Sequence, residues 1–132
     1  MTRRELRENV FKMLFRVEFH DEGEISEQLS MFEEELSHLS ESDLSYINGK
    51  CNDIFAHLDE IDEAINATAI GWKTSRMGKV DLSIIRLAVY EMKFEEDIPQ
   101  KVSINEAVEL AKKYGTDDSS SFVNGILAKF AC

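Results

Sequence analysis

Apolar residues recur every three to four positions along most of the 132-residue chain. That spacing lines one face of an α-helix. Leu6, Val10, Met13, Leu14 and Val17 share a face over about Arg3 to Phe19, and Asp21-Glu22-Gly23 stops the pattern. Ile25, Leu29, Phe32 and Leu36 mark a second helix over about Glu24 to His38. Leu44, Ile47, Cys51, Ile54, Phe55 and Leu58 mark a third, capped by Ser40 or Ser42 and weakened by Asn48-Gly49 within it. A short helix over about Asp59 to Ala69 carries Ile61 and Ile65. Gly71 to Gly78 is a break holding the single tryptophan, Trp72. From Val80 to Glu95 the chain is apolar around most of a helical circumference, which predicts a central, buried helix ended by Asp97-Ile98-Pro99. Ser103 and Glu106 have the spacing of a capping box, so the next helix is expected to start there. It runs to Tyr114, with Gly115 as its stop. Asp118 or Ser119 caps a last helix carrying Phe122, Val123, Ile126, Leu127 and Phe130. No sustained period-2 run interrupts this series, so the expected fold class is all-α, with about seven helices in a single domain's length.

Charge sharpens the picture. The net charge is −11, which opposes non-specific attraction to polyanions. Its distribution is uneven. Residues 1–17 hold five Lys or Arg against two acids, residues 18–72 hold fifteen acids against Lys50 alone, and residues 73–132 hold nine of each. A small basic pole therefore precedes a strongly acidic block, which reads as a solvated face or as a docking surface for a basic partner. No apolar run approaches the ~20 residues a membrane span needs. No apolar segment follows the charged N-terminal stretch, so no secretory leader is read and the expected location is cytoplasmic. Cys51 and Cys132 form no CxxC pair and read as two reduced thiols.

Catalytic signatures are missing: the sequence has no phosphate-binding glycine loop, no HExxH and no nucleophile elbow. Glu35-Leu-Ser-His38 has the Glu-x-x-His spacing of a di-iron bundle, but such a site needs two copies and His57 has Ile54 at the matching position. No metal, no cofactor and no enzymatic activity are expected.

The first helix is more informative. At about 100° per residue, Arg4, Arg7, Phe11 and Phe15 fall on one arc beside the apolar stripe. Arginine supplies charge-assisted contacts to phosphate, and an aromatic ring supplies a platform for an unpaired base. The competing reading makes both rings outer core covered by arginine stems.

The run from Val80 to Glu91, Asp97-Ile-Pro99, the run from Val102 to Lys112, and Phe122-Val-Asn-Gly-Ile-Leu127 together resemble the NusB family of bacterial transcription antitermination factors. Arg3-Arg4-x-x-Arg7-Glu8 and Trp72-x-x-x-Arg76 fit the same pattern, so the resemblance spans essentially the whole chain. Several matched residues have structural readings: Arg86, Tyr90 and Glu91 in buried hydrogen bonds, Asn105 and Glu106 at a helix start, Gly125 at a close helix approach, Asn124 tying backbone ends. The resemblance implies an all-helical domain of two small helical subdomains, about 1–70 and 71–132. It implies pairing with NusE, also a small-subunit ribosomal protein. The pair binds the boxA element of nascent RNA and nucleates an antitermination complex on RNA polymerase, notably in ribosomal RNA transcription. Carried over by position, the implied RNA-binding residues are Arg3, Arg4, Arg7, Phe15, Lys112, Tyr114, Asp118, Ser119 and Phe122, within a last-helix segment from Asp118 to Phe122. Phe15 stands where tyrosine is common, keeping the ring and losing a hydroxyl. The acidic block makes a basic partner a physical aid to RNA binding. The alternative is a helical docking module with little RNA affinity, as monomer or homodimer.

Overall fold

Thr2 opens the first helix, α1 (Arg3–Val17), through a reciprocal cap that the sequence reading did not single out. The Glu5 amide donates to Thr2 Oγ1 and the Thr2 amide donates to Glu5 Oε1, each at 3.1 Å. The Thr2 amide first, and the Thr2 hydroxyl second, hold the Glu5 carboxyl below its ordinary pKa by hydrogen bonding to its charged form. The computed structural model describes residues 1–131, and Cys132 lies outside the described residues. The chain divides into two compact units, the first Met1–Ala56 and the second beginning at His57.

In the first unit α1 packs on α2 (Ile25–Glu35) and α3 (Glu41–Ala56). Leu6, Val10, Phe11, Met13, Leu14 and Val17 are buried along α1, with Phe32 on α2 and Ile47, Cys51 and Ile54 on α3. Polar ties set the packing. Arg16 Nε donates to Gln28 Oε1 at 2.8 Å, and the same guanidinium pairs with Glu35. The N-terminal ammonium meets Asp43 Oδ2 at 3.3 Å. The α3 cap is Ser40, whose hydroxyl accepts from the Asp43 amide at 3.2 Å. Asn48-Gly49 leaves α3 unbroken, because the buried Ile47, Cys51 and Ile54 anchor both sides of it.

In the second unit α4 (Leu58–Thr68), α6 (Gln100–Tyr114) and α7 (Ser119–Ala128) pack against α5 (Lys79–Phe94), the central helix that the apolar run predicts. Arg86 on α5 grips Asp62 on α4 with both arms, Nε to Oδ1 at 2.8 Å and Nη2 to Oδ2 at 2.7 Å. Glu91, only 2% exposed, accepts from the Ser103 hydroxyl at 2.9 Å. Seven α-helices and no strand are present among the described residues, as an all-α reading requires.

Three local expectations are corrected. Helix α6 begins at Gln100, directly after Pro99, so Ser103, Asn105 and Glu106 lie inside it. Pro99 has the fixed φ that suits a helix entrance. Ser103 serves a buried bond to Glu91 instead of a cap. A Cβ at Gly125 would meet nothing within 4 Å, so no close helix approach occurs there. The tight approach is at Gly115, where a Cβ would lie 2.4 Å from Ser119 Oγ and 2.8 Å from the Ala111 carbonyl oxygen. The helix ends are also shorter than the periodicity suggests, at Val17, Glu35 and Ala128, where solvent competes for the last carbonyls.

Burial pushes the Cys51 thiol up to about 12. The expected result is that iodoacetamide leaves Cys51 unmodified in native protein at pH 8 and modifies it fully in urea, read by peptide mass mapping. Native-state labelling at the rate of a free thiol contradicts the burial.

Candidate nucleic-acid interface

The nine residues implied to contact RNA lie on two faces, one in each unit. On α1, Arg3 and Arg4 are exposed and Arg7 is half-buried one turn on. Phe15 is half-buried, its ring stacked on Phe11 with centroids 6.2 Å apart and planes 25° from parallel. Phe11 itself is 2% exposed, so for this ring the outer-core reading holds. Two further basic groups of the helix are tied to neighbours. Lys12 lies 3.8 Å from Glu8, and Arg16 is committed to Gln28 and Glu35 on α2. The α1 face is thus an arginine-rich first two turns followed by a supported aromatic ring.

The second face is the turn from α6 to α7. Lys112 is exposed, 3.6 Å from Glu109, and Tyr114 is half-buried with Lys113 Nζ 5.4 Å from its ring centroid. Gly115 lets the chain turn closely enough for the Thr116 amide to donate to Ser119 Oγ at 2.9 Å. Ser119 is therefore buried and holds the turn, while Asp118 is exposed at the N-terminal cap position and its side chain makes no capping bond. Phe122 meets Trp72 edge to face, with centroids 5.2 Å apart.

Trp72 and its neighbours complete this face, though the site prediction from sequence left them out. Gly71, with φ +89°, turns the chain after α4, and the Thr74 amide donates to Asn66 Oδ1 at 2.8 Å. Trp72 is left 50% exposed. A depression of about 340 Å³ is lined by Trp72, Arg76, Met77, Asp81, Asp118 and Phe122. A second of about 270 Å³ adjoins it, sharing Asp81 and Ser119 and reaching Tyr114. Asp81 Oδ1 is buried in its wall with no hydrogen-bond partner. Aromatic edges beside one guanidinium suit a flat, polar-edged ring. The sequence signal was the spacing Trp72-x-x-x-Arg76. Among the described residues no group of three or more His, Cys, Asp or Glu is placed to hold a metal ion. No described helix is long and apolar enough to cross a membrane.

An all-helical chain that presents arginines beside aromatic rings and open, aromatic-lined depressions falls in the class of helical nucleic-acid-binding proteins. Residues 4–132 match the NusB family. The chain belongs to that family. It is 63% identical over 131 residues to the transcription antitermination protein NusB of Agathobacter rectalis, covering 99% of this chain and all of that one. The fold is similar to that of NusB of T. maritima, with a TM-score of 0.86 and 38% identity over 99% of this chain and 91% of that one. It is also similar to a chain in a solved complex of the antitermination factors NusB and NusE with double-stranded RNA, at TM-score 0.82 and 27% identity, covering 96% of this chain and 92% of that one.

Proposed function

We propose that this chain is a transcription antitermination factor that binds boxA-type single-stranded RNA together with NusE, the ribosomal protein. The pair recruits the antitermination complex to RNA polymerase, notably during ribosomal RNA transcription. The chain acts by binding, without a catalytic step, and works in the cytoplasm. The observation that carries the RNA contact is the depression where Asp118, Ser119 and Phe122 of the α6–α7 turn adjoin Trp72. Arg3, Arg4 and Arg7 supply phosphate contacts, and Phe15 supplies a stacking ring. Lys112 and Tyr114 extend the contact from α6. Relatives support the reading, since one carries the antitermination name over nearly the full length and a structural neighbour is held with NusE and RNA.

The acidic block gives NusE a physical role. Fifteen acids between residues 18 and 72 repel a phosphate chain, and a basic protein bound against them relieves that repulsion. The test is fluorescence anisotropy of labelled boxA RNA with this protein, alone and with equimolar NusE. A scrambled strand and a boxA duplex serve as competitors. The expected result is binding that tightens with NusE, prefers single-stranded boxA, and has a log–log salt slope of roughly −1.4 to −2.8, as two to four phosphate contacts give. Affinity that ignores NusE removes the charge-relief argument. An absence of binding in every arm leaves a protein-docking module.

A further inference from the structure

We infer that Phe19 is a further RNA-binding residue, a stacking platform for one unpaired base beyond the face defined by Arg4, Arg7 and Phe15. The inference rests on the RNA reading above and extends it. Phe11, Phe15 and Phe19 recur four residues apart, which aligns them along one side of α1 and of the turn that follows it. The rings touch in series. Phe11 stacks on Phe15, and Phe15 meets Phe19 edge to face, with centroids 5.0 Å apart and planes 85° apart. Burial falls along the series, from 2% exposed at Phe11, through half-buried Phe15, to 61% exposed at Phe19. Phe19 is thus held by a neighbour on one side and presented to solvent on the other. The Phe19 amide donates to the Arg16 carbonyl oxygen, and that of His20 to the Val17 carbonyl oxygen at 2.9 Å, so the ring sits on a closed turn and not on a free strand.

Charge decides how this position can touch RNA. No Lys or Arg occurs from Val17 to Gly49, while Glu18, Asp21 and Glu24 flank Phe19. His20 is engaged by Glu24 at 3.3 Å. A phosphate is repelled there, so the contact runs through the face of a base, which needs no cation. The strip therefore has divided roles. Its arginine end carries salt-dependent attraction, and its Phe19 end carries salt-independent stacking.

The experiment measures boxA RNA affinity, with NusE present, for Phe19→Ala, Phe19→Leu, Phe19→Trp and an Arg4→Glu/Arg7→Glu control, each across a salt series. Phe19→Ala and Phe19→Leu are expected to weaken binding roughly 5- to 100-fold, with the salt slope unchanged. Phe19→Trp is expected to restore it, because tryptophan keeps a π-face. Circular dichroism checks that each variant folds. Unchanged affinity in Phe19→Ala, beside a large loss in the arginine control, overturns this inference and leaves the RNA reading intact. Unchanged affinity in both overturns both. Weaker pairing with NusE at unchanged RNA affinity also overturns it and makes Phe19 a protein contact.

Discussion

Reversing Arg4 and Arg7 together to glutamate is expected to weaken boxA binding by about 100-fold or more. Each arginine removed takes away a charge-assisted contact worth about 1.5–3 kcal/mol, and each glutamate adds repulsion. The log–log salt slope should become shallower by roughly 1.4, since each lost phosphate contact on a single strand accounts for about 0.7. Stability should change little. Arg4 is exposed and Arg7 half-exposed, and neither belongs to the Thr2–Glu5 cap that starts the helix. Anisotropy titrations at several salt concentrations, with a urea unfolding curve beside them, make the check. A loss of affinity with an unchanged slope would mean that the arginines act through something other than phosphate.

Substituting Gly115 by alanine should damage the second face. The backbone there has φ −94°, which any residue accepts, so the demand is for space and not for a special conformation. The new methyl group would lie 2.4 Å from Ser119 Oγ, 2.5 Å from Ser119 Cβ and 2.8 Å from the Ala111 carbonyl oxygen. Ser119 is buried and accepts from the Thr116 amide, so it has no easy way to yield. Forcing an extra carbon into such a site costs about 1–3 kcal/mol. The start of α7 must shift, and Asp118, Ser119 and Phe122 shift with it. Urea unfolding should show the destabilisation, and boxA affinity should fall in the same variant. Gly125→Ala is the control with the opposite sign. It sits inside α7 with open space around it, so it should stabilise by about 0.5–1 kcal/mol. Equal effects at the two glycines would refute the packing argument.

The contrast between these glycines shows where sequence reading succeeded and where it stopped. Gly125 falls in a segment that carries the family resemblance, and Gly115 was read as a helix stop. Close approach was read at Gly125 and is found at Gly115, because the distance to Ser119 depends on how α7 turns back from α6. Ser103 gives the same lesson. A serine three residues before a glutamate has capping-box spacing wherever it falls, and only the packing of α5 against α6 turns its hydroxyl toward Glu91. Arg86 was legible as a buried hydrogen-bonding residue, since an arginine in the most apolar helix must find a partner. That the partner is Asp62, twenty-four positions away on α4, was not.

Periodicity, charge and family resemblance were written in the chain. About seven helices, a central α5, an arginine-rich first helix and an acidic middle all follow from spacings and counts within a few turns, where local geometry alone sets which residues share a face, and seven α-helices are found among the described residues. Which member of a face stays in solvent is another matter. Phe11, Phe15 and Phe19 step about 40° at a time away from the apolar stripe, and the structure buries the first, half-buries the second and exposes the third, on the turn past the helix end that tertiary packing sets. Arg16, chemically like the arginines of the first two turns, is half-buried and holds α2 through Gln28 and Glu35. Trp72, Arg76 and Asp81 gather with Phe122 only because the turn after α4 and the start of α7 come together against α5. Burial and convergence depend on neighbours distant in sequence, so these choices belong to the tertiary structure.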